Sequence, residues 1–464
     1  MRALVIAVLA VAGLAHAASA ADAPAHLAAG YKALFTCSAT FLANRTPEHI
    51  ARYDLSGIYA DYVEPLKKLA AAQIDRRRGW VSVPYDPQML PRTAIYRGTL
   101  GCVLLPPGAG SNLRLVAVSL PDERAKARDI AWPGGDKLAE APIGVTSRHK
   151  LAPLLKVAFD GKTYGKGTRT SGVVIASRTK LLAEAYTADS GIYVPQRTWS
   201  VAKSLMGAVV GIAVKDRLIH PDEPVAFRSW SAPGDPRAQI TFRHLMHMAS
   251  GLDAGVAGNR TDEVYFGGGL VEEHAMTREL AAAPGQRWNY ANNDTLLLSY
   301  GLRERIRDDR VYQAYPYEKL FRRIGMRHTT AETDWGGTFI LSSQVWTTAR
   351  DLARFGILLL NDGRWAAQEV LPAGWVKFMG TPAPAQPPLE RADGEQNPGY
   401  GAQIWLYDKR HGLPDGTLAA MGNRGQYVVV VPARGIVVVR RGYDGDGVRF
   451  AIDKFAVDVL KALE

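Results

Sequence analysis

Ser200 and Lys203 are the residues of this sequence whose types and spacing most clearly suggest chemistry. They open an apolar run, Ser-Val-Ala-Lys-Ser-Leu-Met-Gly-Ala-Val-Val-Gly-Ile-Ala-Val, which predicts a buried helix beginning near Trp199. Positions three apart share a helix face, so the hydroxyl and the amine should project side by side. A buried amine that has lost its proton can accept the serine proton, and the pair therefore predicts an activated nucleophile.

The Ser-x-x-Lys pattern is not specific by itself, because it occurs twice more, at residues 147–150 and 177–180. The first lies in a polar connection and the second in a predicted hairpin turn. Neither opens an apolar helix, so we interpret both as chance matches. For Ser200 and Lys203 the alternative is a helix-terminal serine beside a lysine that extends toward solvent.

A second polar group, Trp-Asn-Tyr-Ala-Asn-Asn at residues 288–293, follows a Pro-Gly turn and precedes a predicted helix. The phenol of Tyr290, placed near a neutral lysine, could relay protons. The amide of Asn292 could orient both the lysine and a substrate carbonyl. The alternative is a helix N-terminus with ordinary aromatic packing.

A third group, Gly-Asn-Arg-Gly-Gln at residues 422–426, comes just before a predicted strand. Gly425 would allow a close approach of the strand backbone. The N–H groups of Gln426 and Ser200 could then form an oxyanion hole, the donor pair that stabilises acyl-transfer transition states. The alternative is a simple tight turn.

Together and in this order, the three groups resemble the motifs of the serine β-lactamase and penicillin-binding-protein superfamily, whose Ser-x-x-Lys carries the acylated serine. The resemblance is closest to the class C β-lactamase-like branch, which includes D-alanyl-D-alanine carboxypeptidases, esterases and nylon-oligomer hydrolases. It covers about residues 150–464, and stretches at 240–252, 325–329 and 348–356 look like the same framework. Residues 22–150 lie outside it.

The resemblance implies a role for each matching residue. Ser200 would be the nucleophile and Asn292 the orienting amide, while Lys203 and Tyr290 would share the general-base and acid work. Asn423 stands where these enzymes usually carry a lysine or histidine. Efficient penicillin hydrolysis is therefore not expected.

The expected activity is that of a serine hydrolase, an esterase or amidase working through an acyl-enzyme on Ser200. Asn292, Asn423, Gly425 and Gln426 are the predicted substrate-binding residues. Two alternatives stay open: a D,D-carboxypeptidase, and a non-catalytic protein that binds penicillin or peptidoglycan.

Composition and charge exclude other classes of function. The chain has 56 Lys and Arg against 45 Asp and Glu, a formal charge of +11, but the basic residues are scattered. Without a basic stripe interleaved with aromatics, nucleic-acid binding is not expected. His244 and His247 lack a third ligand at metal-site spacing, so no metal and no cofactor are predicted. The expected partner is a small-molecule or peptide substrate.

The first twenty residues predict a signal peptide. Arg2 is followed by a short apolar run and by the small residues Ala18, Ser19 and Ala20. We expect cleavage after Ala20, export to the periplasm or the medium, and no integral membrane segment in the mature protein. A retained N-terminal anchor is the alternative.

The remaining chain predicts two units. Residues 21–150 form a small α+β unit of unknown role, with helical periodicity at 51–72. In an exported chain the two cysteines, Cys37 and Cys102, suggest one disulfide, with two buried thiols as the alternative. Residues 151–464 predict an α/β hydrolase domain of the α+β type: an antiparallel sheet built from both ends, flanked by N- and C-terminal helices, with an inserted all-helical domain at about 216–345.

Overall fold

The structure is a computed structural model that describes residues 23–110, 113, 115–116, 118–138, 145–254, 261–391 and 394–464. The predicted signal peptide lies outside these residues. No helix within them is both long and apolar enough to cross a bilayer. The helices are α1 (Ala25–Phe41), α2 (Pro47–His49), α3 (Ala60–Lys68), α4 (Val145–Ala158), α5 (Val201–Lys215), α6 (Phe242–Met246), α7 (Asp262–Tyr265), α8 (Val271–Ala275), α9 (Asn292–Ile306), α10 (Asp309–Pro316), α11 (Ala349–Leu360), α12 (Trp375–Met379) and α13 (Ile452–Ala462).

The strands of the described ranges form a seven-stranded, a four-stranded, a three-stranded and a two-stranded sheet. They are β1 (Gln73–Asp75), β2 (Trp80–Val83), β3 (Arg92–Tyr96), β4 (Cys102–Leu104), β5 (Thr170–Ser177), β6 (Leu181–Tyr186), β7 (Gln196–Arg197), β8 (Thr330–Ala331), β9 (Val345–Thr347), β10 (Arg364–Trp365), β11 (Gln368–Glu369), β12 (Gly399–Tyr400), β13 (Trp405–Tyr407), β14 (Thr417–Gly422), β15 (Gln426–Val431) and β16 (Ile436–Gly442).

The large antiparallel sheet joins the two ends of the hydrolase region, as the sequence predicts. Its strand order is β12-β13-β14-β15-β16-β5-β6, and Val438 of β16 pairs with Ile175 of β5. The central strands are rich in valine because side chains on both of their faces are buried. One face packs against α4 and α13, and the other against α5 and α11.

Between α5 and β9 the regular structure of the described residues is helical except for β8, so the predicted insertion at 216–345 is not all-helical. The apolar pattern of residues 270–283 predicts one long helix, but only α8 forms there, and Leu280 makes a bridge with Leu252. The strand β8 also lies in this range and pairs with β9. The core of the region packs α5 against α9.

The N-terminal unit places α1 across the four-stranded sheet of β1 to β4. Cys37 on α1 and Cys102 on β4 are fully buried and form a disulfide, which confirms that prediction. The predicted helix at 51–72 is wrong in extent. A π-helical turn at Ile50–Asp54 and the separate helix α3 take its place.

The N-terminal unit shares its core with the hydrolase region. Phe35 of α1 packs on Trp199 with 5.8 Å between ring centroids, and one hydrophobic cluster contains both. The Ser38 hydroxyl donates to the carboxyl of Glu332 over 2.5 Å, and the Cys102 N–H donates to the same oxygen over 3.0 Å. Burial raises the pKa of Glu332 to about 7. The two units are therefore one packed body at this contact.

Strand β14 is a strand that the sequence pattern does not predict. Its residues, Thr-Leu-Ala-Ala-Met-Gly, include alanine and glycine, which are depleted in strands. The pairing of β14 with β15 and its packing against α5 compensate for the weak strand propensity of these residues. The consequence is that residues 423–425 form the turn of a hairpin, and the last residue of β14 is Gly422.

Candidate active site

Ser200 is held at the N-terminus of α5 by a strained residue before it. Trp199 has φ of 51°, a left-handed conformation that is unfavourable for a bulky side chain. On its other side, the N–H of Thr198 donates to the carbonyl of Val345 over 2.8 Å. The rings of Phe35 and Tyr59 pack on Trp199 and hold it in place. The strain therefore presents the Ser200 hydroxyl at a fixed point of the cavity described below.

Lys203 lies one turn along the same helix, and its side chain is 1 % exposed. Its ammonium donates to the Ser200 Oγ over 3.1 Å, to the Asn292 Oδ1 over 2.6 Å and to the backbone carbonyl of Ser342 over 2.9 Å. All three acceptors are uncharged. Ser200, Lys203 and Asn292 thus come together as the sequence predicts.

Burial is the main reason that the pKa of Lys203 falls to about 7, and the nearby guanidinium of Arg197 lowers this pKa further. A group with this pKa is neutral in about half of the molecules at pH 7. Arg197 also positions the segment that holds the lysine, because it donates to the Ser343 Oγ over 2.8 Å. The site therefore contains an amine that can act as a base.

Tyr290 lies on the other side of Ser200. Its hydroxyl interacts with the side chains of Ser200 and Trp405, and the Lys203 Nζ lies 5.1 Å from its ring centroid. Burial raises the pKa of Tyr290 to about 12, and the interactions with Ser200 and Trp405 oppose this shift. Tyr290 thus stays a phenol near neutral pH, and of the two groups Lys203 is the better proton acceptor.

Gly422, the last residue of β14, is the glycine that packs against the nucleophile. A Cβ at this position would lie 2.3 Å from the Thr198 carbonyl oxygen and 3.0 Å from the Ser200 nitrogen. Only glycine allows β14 to approach so closely. The next residue, Asn423, lines the catalytic cavity, and its side-chain oxygen accepts from the N–H of Arg424 over 2.8 Å.

Gly425 and Gln426, the other two predicted substrate-binding residues of this motif, are not among the residues that line the cavity. Gly425 has φ of 76°, and a Cβ there would lie 1.7 Å from the guanidinium of Arg440, which is paired with Asp444. The Gln426 side chain accepts from Arg441 over 2.7 Å. Both residues therefore support the hairpin between β14 and β15. The residue that lies against Ser200 is Gly422, at the end of β14, and not Gly425 before β15.

A cavity of about 440 Å³ opens above Ser200, within the size range of ligand sites. The predicted residues Tyr290, Asn292 and Asn423 line it. Its other walls come from parts of the chain that are distant in sequence. The remaining lining residues are Tyr59, Trp199, Tyr265, Ser343, Arg391, Asn397, Pro398, Trp405, Met421, Gly422, Tyr427 and Arg449.

Two arginines supply positive charge to this cavity, although the third motif carries neither a lysine nor a histidine. Arg391 and Arg449 each approach the carboxylate of Glu395, at 4.0 and 3.7 Å. Both side chains are about one-third exposed, at 30 % and 33 %. They come from loops around the sheet and could meet an anionic group of a substrate.

The N-terminal unit contributes directly to the cavity. Tyr59 precedes α3 and forms part of the cavity wall. Arg424, in the turn after Asn423, points away from the cavity and donates to the carbonyls of Tyr53 and Ser56, each over 2.7 Å. The same turn that follows Gly422 is therefore tied to the loop that carries Tyr59.

Sequence reasoning missed Tyr59, Arg197 and Trp405 because no local pattern marks them. Gly422 had a signal, since it is the first glycine of the third motif and stands before the turn. The carbonyl of Ser342 could not have been found, because a backbone acceptor has no sequence signature.

Comparison with known proteins gives a consistent result. The protein family described as Beta-lactamase matches residues 195–440. No curated protein matches the sequence significantly. A solved structure assigned as a 6-aminohexanoate-dimer hydrolase from Bacillus anthracis is similar, with a TM-score of 0.55 and 20% identity over 67% of this chain and 82% of that chain.

Two further solved structures share the fold. A family VIII carboxylesterase has a TM-score of 0.55 and 13% identity over 69% of this chain and 98% of that chain. A protein assigned as a β-lactamase from Bacteroides dorei has a TM-score of 0.53 and 19% identity over 68% of this chain and 99% of that chain. At these identities the likeness establishes the fold alone.

Proposed function

Since this chain belongs to the beta-lactamase family, we propose that it is an exported serine hydrolase that cleaves an ester or amide through an acyl-enzyme on Ser200. The observation that carries the proposal is that each hydrogen-bond acceptor of Lys203 is uncharged. A buried lysine with three uncharged acceptors, one of them the Ser200 Oγ at 3.1 Å, has little structural use and a clear catalytic one.

In the acylation step, the Ser200 Oγ attacks the carbonyl carbon of the substrate while Lys203 takes the hydroxyl proton. Negative charge then develops on the carbonyl oxygen. We assign the N–H groups of Ser200 and Asn423 as its donors, because Gly422 brings the turn against the Ser200 nitrogen. The proton passes through Tyr290 to the leaving alcohol or amine, and the acyl–oxygen bond to Ser200 remains.

In the deacylation step, a water molecule attacks the acyl carbon and loses its proton to the Lys203–Tyr290 pair. The bond to Ser200 breaks, its oxygen regains a proton, and the acid product leaves. Asn292 keeps the lysine in position through its 2.6 Å hydrogen bond. Each step uses one proton acceptor and returns it to its starting state.

A second candidate function is supported by the arginines of the cavity. A D,D-carboxypeptidase must bind the free carboxylate of its peptide substrate, and Arg391 and Arg449 offer two cations beside the cavity. Release of D-alanine from a cell-wall pentapeptide would support this candidate. Ester hydrolysis without any release of D-alanine would exclude it.

The decisive experiment is intact-protein mass spectrometry after incubation with a fluorophosphonate and, separately, with penicillin. We expect one fluorophosphonate adduct on Ser200 and no efficient turnover of penicillin. Ser200→Ala should abolish the adduct. Ser204→Ala is the matched control, because Ser204 lies on the same helix and donates to the Gln403 carbonyl over 2.6 Å.

Two outcomes would contradict the proposal. If the fluorophosphonate adduct persists in Ser200→Ala, the nucleophile lies elsewhere. If penicillin forms a stable adduct and no ester or amide is turned over, the protein is a binder rather than a hydrolase.

Export is tested on the protein itself, by N-terminal sequencing of material recovered from the periplasm or the medium. The buried disulfide supports an oxidising destination. We expect the mature chain to begin at Ala21. A cell-associated protein that begins at Met1 would contradict this part of the proposal.

A further inference from the structure

A second cavity of about 520 Å³ lies in the N-terminal unit, outside the part of the chain that matches the family. It is enclosed by α1, the π-helical turn Ile50–Asp54, α3 and β1. It shares no lining residue with the catalytic cavity. Its volume falls within the range of about 300–1,000 Å³ that is typical of small-molecule sites.

The lining of this cavity is mostly aliphatic and otherwise basic. Ile50, Leu55, Ile58 and Leu66 are among the apolar side chains of its wall. Carboxylates are absent from the described residues that line it, and the charged lining residues are two lysines. An alkyl chain would replace water against this wall favourably.

The two lysines differ in what they already bind. Lys67 is paired with Glu64 at 2.6 Å on the exposed side of α3, so its charge is already matched. The ammonium of Lys32 donates to the carbonyl of Leu69 over 3.2 Å. Burial lowers the pKa of Lys32, which indicates that its positive charge is poorly solvated where it stands. A carboxylate placed beside Lys32 would supply the counter-charge.

The backbone of the wall also departs from regular structure. A π-helical turn, which Ile50 begins, is rare in proteins and is frequently found at functional sites. The cavity wall continues through residues 55–58, immediately before Tyr59 of the catalytic cavity. Consecutive residues of one loop therefore line the two cavities.

We propose that this cavity binds the anion of a fatty acid, with the alkyl chain along Ile50, Ile58 and Leu66 and the carboxylate on Lys32. The apolar wall would bind the alkyl chain of the ligand, and Lys32 would favour a fatty-acid anion over a neutral lipid. This binding does not depend on Ser200 or on any hydrolytic activity.

The test is calorimetric titration of the full-length mature protein with sodium dodecanoate, below its micelle concentration, and with dodecanol. We expect saturable binding of one dodecanoate to the N-terminal cavity, tighter than that of dodecanol. Lys32→Met should weaken dodecanoate binding about tenfold, the loss typical of a charge-assisted hydrogen bond at a partly exposed site. It should leave the affinity for dodecanol within about twofold.

Two variants locate the site. Ala51→Trp places a large side chain at the cavity lining, and Leu66→Glu introduces a carboxylate into the wall. Both should reduce dodecanoate binding. Ala232→Trp is the matched control for an exposed alanine elsewhere, and circular dichroism establishes that each variant is folded.

Several results would overturn the proposal. These are equal affinity for dodecanol and dodecanoate, binding that is unchanged in both Lys32→Met and Ala51→Trp, or association with phosphatidylglycerol vesicles but not with free dodecanoate. The last result would indicate a membrane-lipid site instead. Binding of dodecanoate with no fluorophosphonate adduct on Ser200 would uphold this site while contradicting the proposed hydrolase function.

Discussion

The pH dependence of hydrolysis tests the role of Lys203 most directly. Burial, aided by Arg197, lowers the pKa of Lys203 to about 7. A lysine with its usual pKa of about 10.4 would be neutral at pH 7 in roughly one molecule in a few thousand, whereas a pKa of about 7 leaves half of the molecules neutral. The fold therefore raises the population of the active base by about three orders of magnitude.

The base must be neutral to accept the Ser200 proton, so activity should rise with pH as Lys203 deprotonates. We expect kcat/KM for an activated ester to increase about tenfold per pH unit below pH 7 and to level off above it. Arg197→Gln removes a positive charge near the lysine, which raises the pKa of Lys203. The rise of kcat/KM with pH should therefore move to higher pH. The assay is kcat/KM for a nitrophenyl ester between pH 5 and about 9.

Two variants separate Lys203 from other groups that titrate. Tyr290→Phe should lower kcat but leave the rise of kcat/KM near pH 7, because the pKa of Tyr290 is raised to about 12. Glu332→Gln is the control for a buried carboxyl whose pKa is also about 7. In this variant the rise of kcat/KM should stay near pH 7. Three results would refute the reasoning: no rise of kcat/KM with pH in the wild type, a rise that is lost in Glu332→Gln, or a rise that stays at the same pH in Arg197→Gln.

Three further predictions concern the elements that position the site. Arg424→Met leaves two part-buried carbonyls of the N-terminal loop without this donor, so it should lower the free energy of unfolding by about 3 kcal/mol in urea titrations and raise KM more than it lowers kcat. Arg410→Met, at an exposed arginine, should change neither the stability nor these constants. Gly422→Ala forces a Cβ into the Thr198 carbonyl and should slow fluorophosphonate labelling of Ser200 at least about a hundredfold. Gly191→Ala is the control, because a Cβ there meets open space, and this variant should be labelled at the normal rate. Equal labelling rates in the two variants would contradict the assigned oxyanion donors. Replacing both cysteines by alanine should lower the free energy of unfolding by about 4 kcal/mol, and an unchanged urea midpoint would show that the disulfide does not constrain the unfolded chain.

Much of the fold followed from local pattern. The sequence predicts strands at 172–176, 181–186, 426–431 and 435–440, and β5, β6, β15 and β16 lie within two residues of these bounds. Alternating and valine-rich runs between turn residues have few other solutions. The helix α1 and the strand β14 escaped prediction. The small and polar residues of α1 carry a weak periodicity, and the alanines of β14 favour strands poorly.

The third motif shows that a sequence pattern can leave open which of its residues lies against the nucleophile. The segment contains two glycines three residues apart, and either could face the nucleophile. The choice depends on the register in which β14 pairs with β15, where Gly422 lies opposite Gln426. That register is set by the packing of the sheet on α5, which no local property of the segment reports.

The sequence by itself placed Ser200 and Lys203 on one helix face, because residues three apart are neighbours there. The resemblance of the motif order to a known family then added Tyr290 and Asn292 to this pair. Only the tertiary structure decided which glycine approaches Ser200, that Arg424 ties the cavity to the N-terminal unit, and that Tyr59 forms part of its wall. It also decided the protonation of the lysine. A pKa depends on burial and on the charges nearby in space, and these are properties of the packed chain rather than of the residue.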